Sequence, residues 1–138
     1  MNYTIEVRKS YIYIKISGKI SLTSPSGWGE VKSALVNAVA SVKENNIYKL
    51  LVDGRDFSGK ISTMDRFLLA VFFVQENAKL IIGKLPPLRI TFVLDKSMID
   101  PGKLGEIVAR NRGLYGFVTD NMQEALNWLE VDADSKKE

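Results

Sequence analysis

LLVDGRDFSGKISTMDRFLLAVFFV, residues 50–74, decides how the chain is read. The apolar run Leu50-Leu51-Val52 stops at Asp53. Charge, glycine and hydroxyl follow in Gly54, Arg55, Asp56, Ser58, Gly59, Ser62, Asp65 and Arg66. Eight apolar residues then run unbroken from Phe67 to Val74. A short apolar run bounded by turn residues reads as a buried strand, here Ile47 to Asp53. The long segment after it reads as a helix from about Ser62 to Ile82. Strand, polar connection and helix in that order form the unit of an α/β fold.

The same unit recurs on both sides of this stretch. Upstream, Tyr3, Ile5 and Val7 alternate with polar residues, and Ile12, Ile14 and Ile16 do the same. Lys9-Ser10 between them predicts an antiparallel hairpin, ended or kinked at Gly18. Ser24-Pro25 starts a helix whose face is Trp28, Val31, Leu35, Val39 and Val42, closed by Asn45-Asn46. Downstream, Pro86-Pro87 breaks the chain, and Leu88–Leu94 is a strand ending at Asp95. A helix over about Pro101–Arg112 follows, then a strand over Tyr115–Thr119. Asp120 or Asn121 caps a last helix with Met122, Ala125, Leu126 and Leu129 on one face. The expected order is β-β-α-β-α-β-α-β-α. This is one α/β domain over 1–131, a mostly parallel central sheet opened by an N-terminal hairpin, with helices packed on it in a two-layer arrangement. A polar tail takes 132–138.

Composition narrows the chemistry. The chain has 138 residues, enough for one sizeable core. Its 19 basic and 16 acidic residues are scattered, without the basic stripe of a nucleic-acid binder. It has no cysteine, which removes disulfides, thiolate metal sites and a cysteine nucleophile. It has no histidine, which removes the commonest general base and zinc ligand. These absences weigh against a hydrolase, and no metal or cofactor is expected. The N-terminal stretch alternates rather than forming a signal-peptide core, and no run is long enough to span a membrane. A cytoplasmic protein is the expectation.

Three groups of residues are candidates for function. Asp53, Asp56, Asp65 and Asp95 fall at or after the expected strand ends, the rim where open α/β sheets bind ligands. With Arg55, Ser62 and Arg66 they form a candidate ligand or partner rim. Surface pairing of Arg55 and Arg66 with these acids is the favoured reading, ahead of a Mg²⁺ site or a carboxylate-based enzyme. Ser62 and Asp65 form S-x-x-D, a capping-box start favoured over Ser62 as a phosphate acceptor. Phe67, Val71, Phe72 and Phe73 lie on a helix apolar on all sides. Such a helix is buried, covered by a partner, or lines an apolar pocket. Arg110 and Arg112 suit a helix C-terminus, and Trp28 and Trp128 are expected core anchors.

The element order, with ISGKIS (16–21), LLVDGRDFSGKISTMDRF (50–67), NRG (111–113) and FVTDNMQEALNWL (117–129), resembles the STAS domain. More closely it resembles the SpoIIAA-like, STAS/SEC14-like group of small bacterial proteins. The resemblance implies a non-enzymatic domain that binds a protein partner, as a homodimer using the second helix and the loop before it. In anti-sigma factor antagonists a serine just after an aspartate, in D-S-S-G, is phosphorylated. Here Asp65 is followed by Arg66, Phe67 and Leu68, and Ser62 is the nearby hydroxyl. The SEC14-like side of the resemblance implies the alternative, a binder of a small apolar ligand or lipid.

Overall fold

The computed structural model describes residues 1–132. The polar tail expected over 132–138 lies, beyond Asp132, outside the described residues. The elements are β1 (Asn2–Val7), β2 (Ile12–Lys19), α1 (Pro25–Asn45), β3 (Lys49–Ser58), α2 (Thr63–Ile82), β4 (Arg89–Leu94), a 3-10 turn (Lys96–Met98), α3 (Leu104–Asn111), β5 (Tyr115–Thr119) and α4 (Met122–Leu129). The strands form one sheet in chain order. β1 is antiparallel to β2, and every other neighbouring pair is parallel.

Strand order sets the layers. Parallel crossovers are right-handed. When each crossover advances one strand in the same direction, its helix lands on the same face. α1, α2 and α3 therefore share one face and bury Ile12, Ile14, Ile16, Leu50, Val52 and Ile90. α4 follows the last strand and turns onto the opposite face. There Ala125, Leu126 and Leu129 pack against Tyr11, Leu51 and Val93. The domain thus has three layers rather than the expected two, because the alternation of β2, β3 and β4 supplies apolar residues to both faces.

Helix starts follow local chemistry. Ser24 Oγ accepts the Gly27 N–H at 3.1 Å, with Pro25 in the first turn. Ser62 and Asp65 form a reciprocal capping box. Asp65 N–H donates to Ser62 Oγ at 3.1 Å, and Ser62 N–H donates to Asp65 Oδ2 at 2.7 Å. Asn121 caps α4 through Glu124 N–H at 2.9 Å. α3 begins three residues later than expected. Lys103 takes a left-handed conformation (φ 48), and the Asp100 carboxylate accepts the Leu104 N–H at 3.1 Å.

The larger difference is in β2 and β3. Gly18 does not end β2; at φ +107 it stays in the ladder opposite Phe57. β3 runs past Asp53 to Ser58, so the first half of the polar stretch is strand.

Candidate functional site

The residues expected at one rim occupy two places. Lys15 faces Asp53, but Ser17 faces Asp56, so β3 carries one extra residue. This bulge sets Gly54 and Arg55 against Ile16 and bends the strand. Asp53, Arg55 and Asp56 consequently gather on the α4 side of the sheet, and Phe57 returns to the main core. Asp53 lies within the strand and is only 1% exposed. Its Oδ1 accepts from Arg55 Nε at 2.9 Å and from Arg55 N–H at 3.2 Å. Its Oδ2 accepts from Arg55 Nη2 at 2.9 Å and from the Tyr13 hydroxyl at 2.5 Å. Burial works to raise this carboxyl. The hydrogen bonds from Arg55 and Tyr13 outweigh it and hold the group below the ordinary carboxylate range. Burial and the adjacent Asp53 carboxylate push the Tyr13 phenol well above its ordinary value. Arg8 lies 5.4 Å from the Tyr13 ring centroid and pairs with Glu6 at 2.5 Å. Asp56 pairs with Lys15 at 3.1 Å. Asp53 therefore has charged and hydrogen-bonding partners on both oxygens, the geometry of a structural pair rather than an open base.

Ser62, Asp65 and Arg66 sit at the start of α2. The Thr23 hydroxyl donates to Asp65 Oδ2 at 3.2 Å, tying the loop before α1 to α2. Burial works against the Asp65 charge, but the Ser62 and Thr23 bonds keep its carboxyl below the ordinary range. Arg66 reaches across to the Met98 carbonyl at 2.7 Å. Asp95 is solvent-exposed and binds the Ser97 N–H and hydroxyl; these bonds lower its carboxyl. Among the described residues no group of acidic side chains could hold a metal ion. None of the described helices is long and apolar enough to cross a membrane.

The α2 residues expected at an interface divide. Phe72 and Phe73 are buried in this chain's own core, edge-to-face at 4.9 Å, and Phe73 meets Phe92 at 5.7 Å. Of the three readings left open for this helix, these two rings take burial, and Phe73 also lines an apolar space: the sheet side of α2 takes both. Phe67 is half-buried with the Arg112 guanidinium 5.8 Å from its centroid, and Val71 is half-buried. The outward apolar residues of α2 are Met64 and Leu68 in its first turns and Ile81 and Ile82 at its end, and none of them was singled out as an interface residue in the sequence. Trp28 is half-buried against the main core. Trp128 stacks on Phe117 at 5.4 Å beneath Arg89.

Between α2, α3 and the sheet lies a cavity of about 90 Å³. Leu69, Phe73, Ile90, Phe92, Ala109 and Gly116 form its walls, with Arg66, Asp100, Lys103 and Glu106 also lining it. Glu106 pairs with Arg110 at 3.2 Å, and Lys103 donates to the Val118 carbonyl at 2.9 Å. A second cavity of about 60 Å³ lies between α1, α2 and the sheet. The two share Ile61, Leu69, Phe92 and Leu94, so they are separated only by common side chains. The sequence carried a signal that was missed: Ala70, Gly105, Ala109 and Gly116 are small residues where elements meet. No protein-family model matches the chain, and no curated protein matches it either.

Proposed function

We propose that the chain is a non-enzymatic, STAS-like binding domain of a bacterial cytoplasmic protein, and that it holds a small apolar ligand between α2, α3 and the sheet. The observation that carries this reading is the pair of adjoining apolar cavities. Protein interiors are packed as densely as organic crystals and hold few voids larger than water. Spaces of about 90 and 60 Å³ sharing four side chains exceed that norm. Their size also bounds the ligand. A benzene-sized guest occupies a cavity on the order of 150 Å³. Each space is smaller than that, so a short alkyl chain fits, and a ring or a larger lipid needs α2 and α3 to move apart. Two cations and two carboxylates among the lining residues balance, so the site selects apolar bulk over net charge. The non-enzymatic part rests on the side chains themselves: Asp53 is held by Arg55 and Tyr13, and Ser62 by its cap.

The test is titration with straight-chain alcohols and carboxylic acids of increasing length, followed by NMR shifts of the Phe73, Ile90 and Phe92 signals. Saturable shifts at these residues, peaking at intermediate length, are expected. Failure of every member of the series to shift them would sink the reading.

Binding of a protein partner is the second reading. It is favoured by Met64, 62% exposed on α2, with Leu68 one turn on and Ile107 exposed on α3. Leu68→Glu is then expected to abolish partner binding while leaving the ligand-induced shifts intact. Loss of neither would remove this surface from consideration.

A further inference from the structure

The sheet has two edges, and they are not alike. At β5 the Lys103 ammonium binds the Val118 carbonyl at 2.9 Å, so a side chain already occupies part of that backbone. At β1 no described side chain bonds the backbone. β1 is six residues long, N-Y-T-I-E-V, without proline or lysine and with one charge. Natural edge strands are blunted by lysine, proline, bulges or a covering element, because free N–H and C=O groups recruit another strand. β1 has none of these within its span and pairs with β2 without a register break.

We infer that β1 is a self-association edge, and that a second copy of this chain adds its own β1 antiparallel across a two-fold axis at Thr4. The register follows from which side chains then meet. Residues directly opposite in an antiparallel pair lie on the same face. Tyr3, Ile5 and Val7 stand opposite Ile16, Ile14 and Ile12, on the helix side; Asn2, Thr4 and Glu6 take the other side. With the axis at Thr4, Tyr3 meets Ile5 of the second copy, an aromatic against a β-branched residue. Thr4 meets Thr4, and Asn2 meets Glu6, an amide donor against a carboxylate. Such cross-strand pairs are the favourable ones. An axis at Glu6 would set two carboxylates against each other. On the helix side, Asn37 of α1 donates to the Tyr3 hydroxyl at 2.7 Å, and the neighbouring Val36 is 44% exposed. The product is a continuous ten-stranded sheet with closed two-fold symmetry. This surface is distinct from the α2 surface expected from the sequence, and it leaves the cavities unobstructed.

Four samples test it, two by light scattering at high micromolar concentration and two by oxidative crosslinking. The unmodified chain is expected at twice its 15.5 kDa mass. Thr4→Glu places a carboxylate beside Lys15 within one chain, where it is tolerated, and two carboxylates face to face across the axis. It is expected to run as a single chain, with the unfolding midpoint that the unmodified chain shows when diluted enough to dissociate. The chain has no cysteine of its own, so Thr4→Cys reports position directly. Cα atoms about 4.5–5.5 Å apart across the axis fit a disulfide. Rapid oxidation to a covalent dimer is expected, and slow oxidation of an Ile82→Cys control. A single-chain mass for the unmodified protein overturns the inference. So does a dimer indifferent to Thr4→Glu, or one that crosslinks through Ile82 and not through Thr4.

Discussion

Asp53 carries its charge at 1% exposure because four donors from two residues replace its water. The consequence is a pH dependence of fixed sign. The folded carboxyl titrates below its unfolded value of about 3.9. Its stabilisation is therefore fully present above that value and is lost as pH falls through the folded one. Asp65 shifts in the same direction and adds to the acid loss. Urea midpoints measured downward from pH 6 are expected to drop in acid, and to drop less steeply in Asp53→Asn than in the unmodified chain. Equal slopes would mean that Asp53 is ionised no more readily folded than unfolded. The identities of these residues were legible in the sequence, but their placement was not. Asp53 reads as the end of a strand because the apolar run stops there. The pairing that carries β3 onward is with Ser17, Gly18 and Lys19, some forty residues away, and no local pattern reports it. The Ser62–Asp65 box, by contrast, was legible because both partners lie within one turn.

Elements follow the same division between local and distant causes. Helix starts at Ser24 and Ser62 were legible, and the last was narrowed to Asp120 or Asn121, since a cap is chemistry between residues three apart. The late start of α3 depends on Asp100 and the left-handed Lys103, a loop conformation with no periodic signature. The extended β2–β3 pairing has a backbone requirement that mutation exposes. Past the strand ends, Ile20 N–H still bonds the Ser58 carbonyl at 3.0 Å, and Leu22 N–H bonds the Lys60 carbonyl at 3.0 Å. Gly59 lies between these bonds at φ +140, where a Cβ would stand 1.8 Å from the Ile20 carbonyl oxygen. Only glycine fits there. Gly59→Ala is expected to lower stability by at least about 2 kcal/mol, since strained conformation and backbone clash act together. A chemical-denaturation midpoint within error of the parent would mean that the connection relaxes freely, and that the extended pairing does not constrain it.

At the scale of the whole molecule, the fold class was legible from alternation alone, and the sidedness was not. Strand order decides which face each helix covers, and strand order is a property of the assembled sheet. The cavities arise at this level too: no single element is short of apolar residues, yet small ones meet where α2, α3 and β5 converge. Empty volume costs roughly 24 cal/mol per Å³ in a core that cannot collapse. The space of about 90 Å³ is half open to solvent, so on the order of 2 kcal/mol is the ceiling on what it withholds from folding. Two agents that fill this volume should each stabilise the chain. Ala109→Leu places added methyl groups into the space from the α3 wall and is expected to raise the unfolding midpoint. A saturating apolar ligand at a hundred times its dissociation constant should stabilise the unmodified chain by about 2.7 kcal/mol. Because both occupy the same volume, their effects should not add: the ligand should stabilise Ala109→Leu far less than the parent. Additive gains would place the ligand elsewhere. A destabilised Ala109→Leu that still responds to ligand would mean that the leucine overpacks the α3 wall while the guest enters from the α1 side, through the cavity that shares Leu69 and Phe92.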